Sequence, residues 1–327
     1  AGLADRLRSQ EERYWRILDR ELARPDADAL SGSVTLDNRK YYTADTVATL
    51  RAMARAARSV ADEDVQNHFL AMTAACVEPA GLVRRDGRAL RFTPGKRVQE
   101  PRKLFTQLLE DSLSDLDSIV EPYEGDVGVH LADARDPEGM DASDFDWAIC
   151  SPPYPNNIDY TEVYKIEAWA LGFYASADEM KAQRLLTFRS HPSITFPDEY
   201  SYMSLPVLSD AVDELIDPLL AVVPSDRYER GRRQLIMGYA DDMLRVLQVI
   251  AQRLRPGGRA AVVVGNSLHG SKDRHFLVAS DLMVARLGEL AGLRVDSILV
   301  ARRPQRRAGT DPLLRESVVF LTRPIAA

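Results

Sequence analysis

Cysteine is scarce in this chain: 327 residues contain only two, Cys76 and Cys150. That excludes a disulfide framework and fits a reducing, cytoplasmic setting. No stretch approaches the roughly 20 consecutive apolar residues that a bilayer-spanning helix needs. The first twenty residues are rich in Arg and Glu, which is not the pattern of a secretory leader. Histidine is equally sparse, with five scattered copies. No Cys/His cluster has zinc-ligand spacing, so each histidine is expected to be a surface or packing residue. Positive charge is not in excess. A net charge of −7 argues against a nonspecific nucleic-acid binder but leaves room for a local basic groove, because the local field matters more than the total. The chain begins at Ala1 rather than Met, so a processed or trimmed piece is expected.

What is present reads as a globular α/β protein, with 45% hydrophobic and 28% charged residues. Residues 1–24 carry Leu7, Tyr14, Ile17, Leu18 and Leu22 among charges, the spacing of an amphipathic helix. Further helices are expected at 44–58, 61–77 and 101–119, and a hairpin turning at Asp86-Gly87 within "GLVRRDGRALRF". The pattern then changes. "VGVHLADAR" (127–135) and "DWAIC" (146–150) read as strands, followed by a mostly helical span from about 160 to 254. "RPGGRAAVVVGNS" (255–267) reads as a turn into a buried strand, and "FLVASDLMVARLGELAGL" as a helix ending near Gly292. "RVDSILVARR" and "ESVVFLTRP" read as two last strands, an antiparallel edge pair. The expected division is a mainly helical region at 1–120 and an open α/β core at 121–327 with a helical insertion at about 160–254.

In open α/β sheets, ligands bind at the carboxyl ends of strands. Two such ends carry unusual polar residues here: Asp133, and Ser151-Pro152-Pro153-Tyr154 within "DWAICSPPYPNNIDY". Proline cannot continue a sheet ladder, so the strand must stop at Cys150. This arrangement resembles the S-adenosylmethionine-dependent amino-methyltransferases of DNA, which carry a [Ser/Asp/Asn]-Pro-Pro-[Tyr/Phe] motif. "SPPYPNNIDYTEVYKIEAWALGF" and "LRPGGRAAVVVGNS" are similar to flanking and later segments of that family. The resemblance covers about residues 125–324.

It implies a Rossmann-like class I methyltransferase sheet with large helical insertions, and methylation of the exocyclic amine of a flipped base in a bacterial modification or defence system. Cytosine N4 is favoured over adenine N6. The amine is a poor nucleophile, because its lone pair is conjugated into the ring. The Ser151 hydroxyl and the Pro152 carbonyl would draw it toward tetrahedral geometry. Pro152 and Pro153 stiffen the backbone, and Tyr154 offers a stacking face worth about 1–3 kcal/mol per base. The target must leave the duplex to reach such a pocket. On the cofactor side the resemblance places Asp133, Ala134 and Cys150. A helix N-cap is the alternative reading of Asp133, and Cys150 reads first as a buried strand residue. Asn156, Asn157, Asp159 and Tyr160 follow the motif closely enough to line the substrate mouth. Asp159 and Tyr160 could also be the first turn of the next helix.

The basic segments "KAQRLLTFRSH", "RYERGRRQ" and "ARRPQRR" are the candidate DNA contacts, with Arg302, Arg303 and Arg306 chief among them. A solvated face is the alternative for each. Two features of the family are missing: the glycine-rich turn that lets the backbone approach the cofactor, and the acid that holds its ribose. "EGDVGVH" leads into a strand rather than following one. The sheet assembled from sequence has five strands, lacking the two at its cofactor-binding centre. A second polypeptide or absent segment carrying the glycine-rich motif is therefore the expected partner beside DNA. A non-catalytic or partner-dependent subunit and an RNA or protein amide methyltransferase are the alternative functions.

Overall fold

The computed structural model describes residues 2–23, 32–86, 90–119, 125–139, 141–156, 158–271, 274–303 and 313–325. It divides into two compact units: Ala1–Asp126 with Asp159–Arg184, and Val127–Ile158 with Leu185–Ala327.

The first unit is helical. It contains α1 (Leu3–Ala23), α2 (Ala44–Arg58), α3 (Glu63–Val77) and α4 (Pro101–Asp117), with a short antiparallel pair β1 (Val83–Arg85) and β2 (Leu90–Phe92). The chain later adds α5 (Tyr160–Val163), α6 (Lys165–Leu171) and α7 (Ala177–Leu185). The helix starts follow from local chemistry. The Thr43 side chain accepts from the Thr46 amide, Asp62 from Val65, and Glu100 from Arg102 and Lys103 with Pro101 next in line. α1 buries Leu7, Tyr14 and Leu18, which share one helical face. The Tyr14 ring stacks on Phe105 at 4.8 Å and meets Phe69 at 4.7 Å, so three helices share one aromatic centre. The expected hairpin forms, although Gly87 lies outside the described residues.

The second unit holds β3 (Phe145–Cys150), α8 (Pro206–Ala221), α9 (Glu229–Arg253) and β4 (Leu254–Gly265). A hairpin β5 (Ser267–Ser271) and β6 (Arg274–Val278) follows, then α10 (Ser280–Leu290), β7 (Arg294–Arg302) and β8 (Glu316–Thr322). The main sheet has the order β3-β4-β8-β7, with β3 parallel to β4 and the other pairs antiparallel. This is a mixed α/β arrangement. Its core lies between the sheet and helices α9 and α10. α9 contributes Leu235, Ile236, Tyr239, Met243, Leu244 and Leu247, and β4 contributes Ala260, Val262 and Val264. Each fully buried aliphatic side chain stabilises by about 1.5–3 kcal/mol.

Two expectations need correction. Residues 127–135 form no strand. Their alternating Val127, Val129 and Leu131 are exposed, Val129 at 92%. Alternation sets the faces of a strand, but the strand itself needs a ladder partner, and none of the described residues supplies one. β3 is therefore an edge strand, with Ile149 75% exposed. The second correction is at 276–278, read as the start of a helix but belonging to β6 (Arg274–Val278). That segment pairs with Ser267–Ser271 as a hairpin, and α10 begins only at Ser280.

A buried ion cluster ties the loop before α8 to α9. Arg189, read from sequence as a DNA contact, is only 9% exposed. Its guanidinium pairs with Asp241 and, at 2.7 Å, with Asp242, and it donates to the Glu199 carbonyl. Arg135 reaches the same Asp242 oxygen at 3.2 Å. Gly238 makes room for this: a Cβ there would meet the Arg189 side chain at 2.7 Å. Among the described residues no helix is long and apolar enough to cross a membrane, and no group of His, Cys, Asp and Glu could hold a metal ion.

Candidate functional site

Ser151 to Tyr154 leave the carboxyl end of β3 as a loop. Tyr154 folds back across the end of the neighbouring strand. Its ring lies against Gly265, the last residue of β4: a Cβ there would sit 2.8 and 2.9 Å from two ring carbons. The Tyr154 hydroxyl donates to Glu316 Oε1 at 2.6 Å and stands 3.3 Å from Ser151 Oγ. Glu316 Oε2 accepts from Arg302 Nε. The Arg302 guanidinium, and then the Tyr154 hydroxyl, hold the Glu316 carboxyl below its usual range. Ser151 is exposed and both prolines are half-buried, so the motif opens to solvent while its tyrosine is anchored.

The far side of the loop is pinned as firmly. The Pro155 carbonyl accepts from Ser267 Oγ at 2.5 Å and lies 2.8 Å from His269 Nε2. The Asn156 amide donates to the Ser190 carbonyl at 3.0 Å, and its side-chain oxygen accepts from the Ile158 amide at 2.7 Å. Behind the loop sits a buried polar knot. Asn266 Nδ2 donates to Asp281 Oδ1 at 2.9 Å, while Arg315 and Ser317 donate to Asp281 Oδ2 at 2.7 and 2.8 Å. Burial pushes the Asp281 carboxyl up, but bonds from Arg315, Ser317 and Asn266 outweigh it and hold the group below the usual range. This knot joins the ends of β4 and β8 to the start of α10.

The remaining sequence-derived residues fall as follows. Asp133 and Ala134 are exposed, and the Asp133 carboxylate accepts from the Arg135 guanidinium and amide, which lowers its pKa. Cys150 is half-buried and burial raises its thiol pKa. These three border a cavity of about 390 Å³, also lined by Trp147 and Ile149 on β3 and by Val246 and Ile250 on α9. In the helical unit, Asp159 caps α5 by accepting from the Thr161 and Glu162 amides, and it pairs with Arg184 at 2.6 Å. Tyr160 opens α5, half exposed. Arg303 is exposed just after β7. Asn157 and Arg306 lie outside the described residues.

Sequence reading missed Glu316, Gly265, Ser267 and His269. Only the glycine ending an apolar strand and the acid opening the last strand hinted at two of them. The cavity's apolar wall, with Asp133 and Asp136 at its border, suits a flat heteroaromatic ring such as adenine. No glycine-rich turn among the described residues borders it.

No family model matches the chain, and no curated protein matches it. One solved structure, described as a candidate DNA modification methylase from Thermus thermophilus, is similar over 27% of this chain at 19% identity with a TM-score of 0.23. The match spans 38% of that protein, so the chain covers well under half of the neighbour's length.

Proposed function

We infer that this chain carries the base-binding half of an S-adenosylmethionine-dependent DNA amino-methyltransferase. The observation that carries the reading is the anchored Tyr154 ring beside the exposed Ser151 at the carboxyl end of a parallel strand. An extruded base stacking on that ring would bring its exocyclic amine to the Ser151 hydroxyl and the Pro152 carbonyl. Both groups accept hydrogen bonds, and neither needs to change protonation state to do so. Their role is orientation, which accounts for large rate factors when the donor is already activated. S-adenosylmethionine supplies the methyl group on a sulfonium. Asp133, Ala134 and Cys150 line the cavity proposed for its adenine end. The Rossmann-like assignment and the preference for cytosine N4 belong to this proposal, as do the basic residues Arg302 and Arg303 as contacts to DNA phosphates.

A partner-dependent subunit is the form of this reading that a specific observation favours. Among the described residues, one edge of β3 is unpaired and the segment 127–131 beside the candidate cofactor residues has no ladder partner. A second polypeptide or further segment with a glycine-rich turn would complete both. Tritiated methyl transfer to DNA, RNA and protein, run in parallel with and without the products of neighbouring genes, tests the whole proposal. Transfer to DNA that is lost on Ser151→Ala and Tyr154→Ala is expected. Transfer to RNA or protein instead would move the substrate class. Transfer unchanged by both substitutions would remove the pocket assignment.

A further inference from the structure

Glu316 lies outside every motif, yet it is the residue that reaches the Tyr154 hydroxyl. The strand register explains how. Gly265 on β4 is opposite Glu316 on β8, and Glu316 is opposite Arg302 on β7. Gly265, Glu316 and Arg302 thus form one row across three strands at the end of the sheet. The Tyr154 ring rests on the first member, its hydroxyl bonds the second, and the third holds the second from the far side.

This arrangement exceeds what stacking requires. A phenylalanine would present the same apolar face, and the two prolines already stiffen the loop backbone. What they leave free is rotation of the ring about its own side-chain bonds. A hydrogen bond from the hydroxyl to a charged acceptor fixes the far end of the ring and, because a phenolic O–H prefers to lie in the ring plane, favours one plane; such bonds are about twice as strong as neutral ones. The acceptor is itself held: paired with Arg302, Glu316 cannot swing away without breaking an ion pair. The glycine lets the ring lie directly on the backbone, so the contact on that side is set by the strand and not by a mobile side chain.

We propose that the row Gly265–Glu316–Arg302 is a positioning platform for Tyr154, with Glu316 fixing the plane of the ring on which the substrate base stacks. The proposal rests on the reading that Tyr154 stacks a base. Glu316 acts through the tyrosine and is a positioning residue. Tyr154→Phe and Glu316→Ala should each lower kcat for methyl transfer roughly tenfold, the scale of one lost bond to a charged group. The apparent KM for DNA should move less than about twofold, because neither substitution removes a cationic side chain and phosphate contacts dominate affinity. The decisive feature is the double variant, which should be no worse than either single one, because both remove the same bond. Glu316→Gln, which keeps an acceptor oxygen, should recover part of the loss.

A readout that needs no catalysis accompanies the kinetics. With ring-labelled tyrosine, the Tyr154 resonances of the full chain should shift and show faster ring flipping in Glu316→Ala, with the other eleven of the twelve tyrosines unchanged. Glu316→Gln should fall between that variant and the unsubstituted chain. Additive kinetic losses, or a Tyr154 ring indifferent to Glu316, would overturn the platform. Absence of methyl transfer to any acceptor by the unsubstituted protein with its partner would instead defeat the functional reading. The spectra would still decide whether Glu316 holds the ring.

Discussion

Substituting Gly265 by alanine isolates the contact on which the site depends. Gly265 is not among the glycines with positive φ, so its backbone accepts an alanine without strain. Only the Tyr154 ring objects. The added Cβ would lie 2.8 Å from the nearest ring carbon, whereas ordinary contact begins near 3.4 Å, so the ring must retreat by about 0.6 Å. Overpacking of this kind costs about 1–3 kcal/mol, offset by about 0.5–1 kcal/mol because alanine suits a strand better than glycine. A net loss of about 1–2 kcal/mol should appear as a fall in Tm of roughly 3–6 °C for a unit of this size. Under the proposed function, displacement of the stacking ring on this scale should also lower methyl transfer by about ten- to a hundredfold. The test is the same substitution in two backgrounds, followed by denaturant unfolding. In the unsubstituted chain Gly265→Ala destabilises. In Tyr154→Ala, where the obstructing ring is gone, it should stabilise by about 0.5–1 kcal/mol. An equal cost in both backgrounds would show that the ring is not what excludes a side chain at 265.

Three other outcomes follow from the same structure. Asp281→Ala strands Asn266, Arg315 and Ser317 in a buried setting and should cost about 3–5 kcal/mol in chemical denaturation. Because the folded Asp281 carboxyl lies below its ordinary value, its contribution should be complete above about pH 4 and fade as pH falls through the lower folded value. The acid limb of stability should therefore flatten in Asp281→Ala. Arg189→Met leaves Asp241 and Asp242 facing each other without their main cation and should cost about 3–5 kcal/mol by urea unfolding. A loss under about 1 kcal/mol would mean that Arg135 alone suffices. Ile149→Lys places a charge on β3, an edge strand among the described residues, and should lower the tendency of the isolated chain to aggregate on heating, read by light scattering. Its stability should change by less than about 0.5 kcal/mol.

Helices α2, α3 and α4 were readable because each carries apolar residues at helical spacing and opens on a capping side chain, and α1 because Leu7, Tyr14 and Leu18 share one face. The end of β3 and the final antiparallel pair were readable for a related reason: Pro152 and Pro153 follow a strand that stops at Cys150, and charged residues bracket β7. What local pattern could not disclose is pairing across distance. The bond from Tyr154 to Glu316 spans 162 positions, and nothing near either residue announces the other. The segment 127–135 illustrates the opposite failure, since its alternation is that of a strand while strand formation depends on a neighbour elsewhere. The hairpin β5–β6 was hidden because Phe276, Leu277 and Val278 prolong the apolar run of α10, and only their pairing with Ser267–His269 separates the two. Arg189 was misplaced for a simpler reason: its two carboxylate partners lie on α9, more than fifty positions away.

The parallel pairing of β3 with β4 also sets an order of events during synthesis. Asp146 on β3 and Arg255 on β4, joined by an ion pair, are 109 positions apart. At a ribosomal rate of about 5–20 residues per second, β3 waits roughly 5–20 s after it emerges before its partner exists. During that interval β4 is not there to pair with it, and afterwards one edge has no ladder partner among the described residues. The strand that leads into the Ser151–Tyr154 loop is thus exposed to wrong pairing in the nascent chain, and expression at lowered temperature or with a holding chaperone should raise the yield of folded material.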